Sequence, residues 1–186
     1  LRGLLILVGH SCDSWYWLLF LCLRLFFGSA EIRARTLFWV FGLIGLAVFV
    51  LALKFIIRRP RPEGEWGQIY RVSDPHSFPS GHAARAAAIA VMAGVSAPPT
   101  LIFALAVWAA GVGLSRVALK LHYLSDVVIG WLIGILCGWA ALRLFPFVEP
   151  WLARLDLDPE CIFHTQQVAF TIAQDGGFCA IGRGFE

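Results

Sequence analysis

The chain has 186 residues, of which 59% are hydrophobic and only 15% charged, and its formal net charge is +3. Ordinary soluble domains carry about 45–50% apolar and about 25% charged residues, so a mean hydropathy of +0.76 excludes such a domain and indicates an integral membrane protein. The charge is small and no basic run is interleaved with aromatic residues, so we expect no nucleic acid as a partner.

Apolar runs of nearly spanning length follow one another along the chain, and a transmembrane helix needs roughly 20 such residues. The first run, Trp15–Phe27, is short unless it begins near Leu4, with a break around His10–Ser14. The predicted spans after it are Thr36–Ile57, Ser80–Ala97, Thr100–Ala118 and Leu124–Phe145. Because proline interrupts helices, a double proline separates the middle pair, and Pro146 and Pro150 are expected to close the last span.

These runs predict an all-α fold, a polytopic transmembrane helix bundle of about five spans, or six if Leu1–Val8 is the remnant of another. Residues 1–150 would form this transmembrane domain, and residues 151–186 a more polar C-terminal tail whose role the sequence does not indicate. The five cysteines are odd in number and lack C-x-x-C spacing, so neither a disulfide framework nor a zinc site is expected.

Polar residues of the spans are predicted to meet at one face of the membrane, because consecutive spans alternate in direction. The residues brought together in this way are Lys54, Arg61, His82, Arg116, His122 and Asp126. Ionisable groups at membrane depth are costly and are functional by default. Three cations beside a bilayer indicate an anion, and the guanidinium fork matches the oxygens of a phosphate.

The segment Pro79-Ser80-Gly81-His82 opens a predicted helix directly after a loop. The free N–H groups and the dipole at a helix N-terminus favour an anion, and Gly81 would let the backbone approach a phosphoryl oxygen closely. This segment is therefore a second predicted phosphate-binding element.

His122 and Asp126 are four residues apart and would share one face if the segment is helical. A carboxylate on one imidazole nitrogen fixes the tautomer and leaves the other nitrogen free to attack. The pair therefore predicts an activated nucleophile. His82, from another helix, is then available as a general acid for the leaving group.

Three motifs now stand in order: K-x6-R-P from Lys54 to Pro62, P-S-G-H from Pro79 to His82, and S-R-x5-H-x3-D from Ser115 to Asp126. Together they resemble the type-2 phosphatidic-acid phosphatase superfamily, which also includes the vanadium haloperoxidases. The resemblance is tight over Lys54–Asp126 and loose over about Gly9–Phe145.

The resemblance implies a role for each matched residue. Because three cations can neutralise the phosphate and the sequence shows no carboxylate cluster to hold a metal, we expect no metal or other cofactor. The residues implied to bind the phosphate are Lys54, Arg61, Ser80, Gly81 and Arg116. His122 would attack phosphorus and form a phosphohistidine, Asp126 would orient it, and His82 would protonate the leaving oxygen.

The predicted function is metal-independent hydrolysis of a membrane lipid phosphate: phosphatidic acid, phosphatidylglycerol phosphate or undecaprenyl diphosphate. The motif residues would contact only the phosphate, so they do not distinguish these substrates. One alternative is a lipid phosphotransferase, which the short polar loop Arg58–Phe78 disfavours. Another is a catalytically dead lipid-binding protein, which the intact His82, His122 and Asp126 disfavour.

Other charged residues carry no single interpretation. Five cations would either contact a lipid headgroup or be solvated: Arg58, Arg59, Arg71, Arg85 and Lys120. Asp13 is expected to cap a helix.

Counting the cations on each side of the membrane would place the site in the cytoplasm. However, three of the cations on the site side are assigned to phosphate. In bacterial members of the family that this chain resembles, the active site usually faces outward. We therefore expect an inner or plasma membrane protein with an outward-facing site.

Overall fold

A computed structural model describes residues 2–63, 74–95 and 97–152. Most of the predicted tail 151–186 lies outside the described residues, as does Arg71. Within the described ranges the chain forms six α-helices, joined by loops and one 3₁₀ turn at Ala93–Val95. They are α1 (Arg2–His10), α2 (Ser14–Phe27), α3 (Ala30–Ile57), α4 (Gly81–Met92), α5 (Pro99–Ala118) and α6 (Leu124–Leu152). The predicted all-α helix bundle is confirmed.

Three of the described helices, α3, α5 and α6, are long and apolar enough to cross a membrane. Helices α1 and α2 meet at an angle of 44° and would make a fourth span if they cross the membrane together. The break between them lies at His10–Ser14, as predicted from the sequence. Large apolar side chains such as Phe49, Phe103 and Leu136 are exposed on the outer faces of the long helices, as expected for side chains that contact lipid. The chain is an integral membrane protein.

Two predicted helix ends are wrong. Helix α3 begins at Ala30 rather than Thr36, because the Ser29 hydroxyl accepts a hydrogen bond from the Ile32 N–H and caps it. Helix α6 continues through Pro146 and Pro150 to Leu152. In hydrocarbon an unwound segment would leave many backbone groups unpaired, so continuing the helix is favoured although each proline removes one hydrogen bond.

The predicted span Ser80–Ala97 is also different, since its helix α4 has only 12 residues before the 3₁₀ turn. This helix lies in the centre of the bundle, and most of its side chains are small and buried. The buried alanines are Ala83, Ala84, Ala86, Ala87, Ala88 and Ala90. A helix enclosed by other helices does not have to match the thickness of the bilayer, and α4 can therefore be short.

Helix α6 packs against α4 through three glycines spaced four residues apart. A Cβ atom on Gly130 would lie 2.6 Å from the Ser80 carbonyl oxygen, and one on Gly134 would collide with the Ala84 carbonyl. Small residues at this spacing let two membrane helices approach backbone to backbone. The same contact places Asp126, one turn before Gly130, beside Ser80, whose N–H donates to the Asp126 carbonyl over 3.0 Å.

Candidate active site

A cavity of about 260 Å³ opens where the C-terminal end of α3, the N-terminus of α4 and the C-terminal end of α5 meet. Its polar lining includes Lys54, Arg61, Gly81, His82, Arg116 and His122, all predicted from the sequence. Ser80 and Asp126 are fully buried in the adjoining structure. The structure therefore brings the eight predicted site residues together from all three motifs.

His122 lies in the turn between α5 and α6, where Lys120 adopts a left-handed conformation with φ 54°. Its Nδ1 atom is 2.7 Å from the Ser77 carbonyl oxygen, and its Nε2 atom is 3.3 Å from Nη1 of Arg61. A carbonyl only accepts, so Nδ1 carries the proton, and Nε2 presents its lone pair next to a cation. This tautomer is the one that a nucleophilic Nε2 requires.

Asp126 pairs with His122 more loosely than predicted. The segment is not one helix, because α5 ends at Ala118 and α6 begins at Leu124, so His122 lies outside the helix that carries Asp126. The His122 Nδ1 atom is 3.7 Å from the nearer Asp126 oxygen, beyond ordinary hydrogen-bond distance. The carboxylate is instead held by Arg59 at 2.7 Å and by the Tyr123 N–H at 3.0 Å.

The Ser77 carbonyl is a site component that the sequence analysis missed. Ser77 is fully buried; its N–H donates to the Arg59 carbonyl over 2.9 Å and its hydroxyl to the Pro60 carbonyl over 3.0 Å. The segment that precedes P-S-G-H is thereby fixed against K-x6-R-P, and both hold the His122 ring. A backbone acceptor has no side-chain signal in a sequence, so no pattern could have identified it.

Burial also acts on the charge of the His122 ring, which lies outside the membrane-spanning helices. Burial lowers the pKa of His122 below its ordinary value of 6.5, and the neighbouring Arg61 and Lys54 act in the same direction. The side chain is only 4% exposed. The neutral imidazole, which is the nucleophilic form, is therefore favoured near neutral pH.

Lys54 and Arg61 share a carboxylate that the sequence analysis did not assign to the site. Lys54 Nζ lies 2.8 and 3.0 Å from the two Asp74 side-chain oxygens and 2.7 Å from the His76 carbonyl. Arg61 donates from Nη2 to the Asp74 carboxylate and from Nε to its carbonyl, each over 2.8 Å. Asp74 thus occupies donors that were predicted to bind phosphate, and its side chain is 40% exposed at the cavity.

Arg116 is 1% exposed and also lines the cavity. Its Nη2 donates to the Gly9 carbonyl over 2.9 Å and lies 3.4 Å from Asp13. Among the residues that the structure describes, the buried Nε–H of Arg116 has no hydrogen-bond partner. A buried donor without a partner costs about 1–3 kcal/mol, and an oxygen of a bound anion would remove that cost.

The N-terminus of α4 carries the P-S-G-H segment as predicted. The Ser80 hydroxyl caps the helix by accepting from the Ala83 N–H, and Gly81 is the first helical residue at the cavity. His82 follows in the first turn, with its Nε2 atom 2.8 Å from an Asp13 oxygen. Asp13 occupies the predicted N-cap position of α2, but its side chain makes no capping hydrogen bond.

The structure assigns contacts to the remaining cations. Arg59 pairs with Asp126 and its guanidinium carbon lies 4.1 Å from the centre of the Tyr123 ring. Arg85 lines the cavity and donates to the Cys12 carbonyl over 2.9 Å. The side chains of the other two described residues, Arg58 and Lys120, are exposed.

No group of three or more histidine, cysteine, aspartate or glutamate side chains within the described ranges is arranged to hold a metal ion. The described part of the site instead supplies its positive charge through lysine and arginine. The expectation that the reaction needs no metal or other cofactor stays a prediction.

A family model described as the PAP2 superfamily matches residues 35–149, which is more than half of the chain. The protein belongs to the PAP2 superfamily. The resemblance stated from the three motifs is confirmed, and so, at the level of the superfamily, is the expectation of a membrane phosphatase that acts on phosphoric esters.

Two solved structures share the fold. The chain is 23% identical to Aquifex aeolicus LpxE over 76% of this chain and 85% of that one, with a TM-score of 0.62. It is also 23% identical to a transmembrane PAP2-type phosphatidylglycerolphosphate phosphatase from Bacillus subtilis over 79% of this chain and 77% of that one, with a TM-score of 0.64. At this identity, the likeness establishes the architecture alone.

Proposed function

We propose that this protein hydrolyses a lipid phosphate monoester or a polyprenyl diphosphate through a phosphohistidine formed at His122. The observation that carries the proposal is the lone pair of His122 Nε2, fixed by the Ser77 carbonyl and placed in a cavity with three buried cations. A nucleophile and preorganised positive charge at one point are the requirements of metal-free phosphoryl transfer.

The phosphate would bind between Lys54 and Arg61 on one side and Arg116 on the other. Its oxygens would compete with the Asp74 carboxylate for the first two cations and would accept the unpaired Nε–H of Arg116. The Gly81 backbone, at the N-terminus of α4, and the Ser80 hydroxyl would add further donors. Charge spreads over the equatorial oxygens in the transition state, so donors fixed in advance lower its energy.

The reaction would proceed in two steps. His122 Nε2 forms a bond to phosphorus while the bond from phosphorus to the leaving oxygen breaks, and His82 donates a proton to that oxygen. A water molecule then attacks the phosphohistidine, His82 accepts its proton, and the bond between phosphorus and Nε2 breaks. Phosphate is released, and both histidines return to their starting protonation states.

The lipid part of the substrate has a matching surface beside the phosphate site. The cavity wall on α3 is apolar, with Leu46 and Val50 buried and Leu51 and Phe55 exposed at the outer surface of the bundle. A lipid could therefore place its phosphate at Lys54 while its chain follows α3 into the bilayer. This continuity supports a lipid substrate over a soluble phosphate ester.

The cavity does not distinguish the three candidate lipids, because its polar residues would contact only the phosphate that all three share. The Bacillus subtilis structure of similar fold is named a phosphatidylglycerolphosphate phosphatase. We therefore place phosphatidylglycerol phosphate first in the substrate panel, with phosphatidic acid and undecaprenyl diphosphate beside it.

We also propose that the site faces the outside of an inner or plasma membrane. Lys54, Arg61 and Arg116 are buried at the cavity, which leaves Arg58 and Lys120 as the exposed cations among those named on this side. The cations of the opposite helix ends are Arg24, Arg33, Arg35 and Arg143. Once the three buried cations are assigned to phosphate, the positive-inside rule no longer places the site side in the cytoplasm. Labelling of Lys120→Cys by an impermeant maleimide in intact cells supports this orientation, and labelling only after permeabilisation contradicts it.

The test of function is phosphate release by the detergent-purified protein from the three lipids in excess EDTA. We expect turnover of at least one lipid, with release at background in His122→Ala and unchanged in Glu31→Gln, an exposed carboxylate paired with Arg35 at the far end of α3. Transfer of the phosphoryl group to a second lipid would instead favour a phosphotransferase. Folded protein without any turnover would indicate a lipid-binding protein.

A further inference from the structure

The break between α1 and α2 brings a carboxylate into the active site. The two helices meet at 44°, and Asp13 stands at the N-cap position of α2 with φ −66° and ψ 147°. An aspartate in this position ordinarily accepts a hydrogen bond from a backbone N–H of the first helical turn. The Asp13 side chain makes no such bond, because its oxygens are engaged by side chains of other helices.

Both oxygens of Asp13 have charged or titratable neighbours. Oδ1 lies 2.8 Å from Nε2 of His82 and 3.4 Å from Nη2 of Arg116, and Oδ2 lies 2.7 Å from Nδ1 of His10. The contacts join α1, α4 and α5 at one carboxylate, which is 27% exposed. Asp13 is thus held in place from several directions.

Of the two contacts that Asp13 Oδ1 makes, the one to His82 is shorter than the one to Arg116. It determines which nitrogen of the His82 ring can exchange a proton. An ionised carboxylate only accepts hydrogen bonds, so Nε2 of His82 carries a hydrogen. The proton that His82 exchanges with the leaving oxygen or with water must then be on Nδ1. Loss of the carboxylate would release the ring from this orientation and tautomer.

The charge of Asp13 matters as much as its geometry. Among the charged groups near His82, Arg85 on its own helix and Arg116 on α5 are cations that disfavour a proton on the ring. The cavity lining also includes the cationic Lys54 and Arg61 and the titratable His122, and His10 contacts the other oxygen of Asp13. A carboxylate in contact with Nε2 acts against this positive field and favours the imidazolium.

We propose that Asp13 is the positioning residue of the general acid: it holds the Nε2–H of His82 and stabilises the protonated ring, so that Nδ1 delivers the proton to the leaving oxygen. The inference rests on the proposed phosphatase function and extends it to a residue outside the three motifs. In the first step the Nδ1–H bond breaks and the new O–H bond forms, while the Nε2–H stays with Asp13. In the second step Nδ1 takes a proton from the attacking water.

A competing role for Asp13 is to orient Arg116, which lies 3.4 Å from the same oxygen. The two roles make different predictions about the leaving group. Protonation matters for an alkoxide, which is a poor leaving group, but not for a nitrophenolate, which leaves without a proton. Phosphate binding by Arg116 matters equally for both substrates.

The experiment compares a long-chain alkyl phosphate with a long-chain nitrophenyl phosphate, using purified wild-type, Asp13→Asn and Glu31→Gln proteins. General acid catalysis contributes about 10²–10⁴-fold. We expect Asp13→Asn to lower kcat/KM, which reports the steps up to departure of the leaving group, by about 100-fold for the alkyl phosphate and only severalfold for the nitrophenyl phosphate, while Glu31→Gln matches wild type. Asp13→Ser is the second variant if Asp13→Asn does not purify as a folded protein.

A double variant completes the test. In a His82→Ala background, Asp13→Asn should cause no further loss on the alkyl phosphate, because two residues that act as a unit are not additive. Equal losses on both substrates, or a further loss in the His82→Ala background, would overturn the inference while leaving the phosphatase function intact. A folded wild-type protein that cleaves neither substrate would overturn the proposed function, and this inference with it.

Discussion

The Nδ1 nitrogen of His122 lies 2.7 Å from the backbone carbonyl oxygen of Ser77. This contact fixes the tautomer of the proposed nucleophile without a carboxylate, since the nearer oxygen of Asp126 is 3.7 Å away. Asp126 keeps an electrostatic role, because attack on phosphorus places positive charge on the imidazole and the buried carboxylate stabilises that charge.

Asp126→Asn should therefore lower kcat by about 100-fold, within the range of about 10²–10⁴ that acid–base partners contribute. The KM should change little, because Asp126 does not line the phosphate cavity. Steady-state kinetics with the preferred lipid would measure both parameters. Glu31→Gln is the control for loss of a carboxylate, and an unchanged kcat in Asp126→Asn would refute the electrostatic role.

The pH dependence of kcat/KM should reflect the lowered pKa of His122. The nucleophile works as the neutral ring, so a pKa below the ordinary 6.5 keeps it active at pH values where a free histidine would already be protonated. We expect the acid limb to lie below pH 6.5 once the second ionisation of the substrate, near pH 6 for a phosphate monoester, is titrated separately. An acid limb above that value would contradict the buried, neutral His122.

Asp74→Asn should strengthen the binding of phosphate-like inhibitors. Asp74 bridges Lys54 and Arg61, so a phosphate or a vanadate must compete with it for both cations. Loss of the charge should lower the inhibition constant of vanadate by about 10-fold, which corresponds to about 1.4 kcal/mol. Inhibition of alkyl phosphate hydrolysis measures this constant.

Glu63→Gln is the control for Asp74→Asn, because it removes one negative charge from an exposed position of the same loop. It should leave the inhibition constant unchanged. Weaker vanadate binding in Asp74→Asn would show that the carboxylate helps to hold the two cations in place rather than competing with the ligand.

Gly134→Ala should destabilise the bundle, because the added Cβ would collide with the backbone carbonyl of Ala84 and the two helices would have to move apart. Overpacking of this kind costs about 1–3 kcal/mol. It should also lower activity, since the shifted α4 carries His82. Thermal unfolding in detergent would measure the loss, with Gly45→Ala as the matched control, because no atom lies within 4 Å of its added Cβ. Equal stability of the two variants would refute the close helix contact.

The sequence predicted the residues of the site better than their contacts. The motif spacings and the alternating spans were sufficient to bring Lys54, His82 and Arg116 to one cavity. The Ser77 carbonyl could not be predicted, because backbone acceptors leave no side-chain pattern.

Two carboxylates were missed for a different reason. Asp13 and Asp74 lie outside the three motifs and reach the cavity only through the bend between α1 and α2 and the path of the loop before P-S-G-H. A charged residue inside an otherwise apolar N-terminal stretch was the available signal for Asp13. Similarly, the length of α4 depended on its enclosure by other helices, which a hydropathy pattern does not reveal.

A trapping experiment with a labelled long-chain nitrophenyl phosphate tests whether the phosphohistidine forms. In His82→Ala the nitrophenolate still leaves without a proton, whereas hydrolysis of the intermediate lacks its base. We expect the phosphohistidine to accumulate in His82→Ala as protein-bound phosphate that is stable in alkali, labile in acid, and absent from the double variant with His122→Ala. Release of nitrophenolate without any protein-bound phosphate, or label that persists in the double variant, would contradict it.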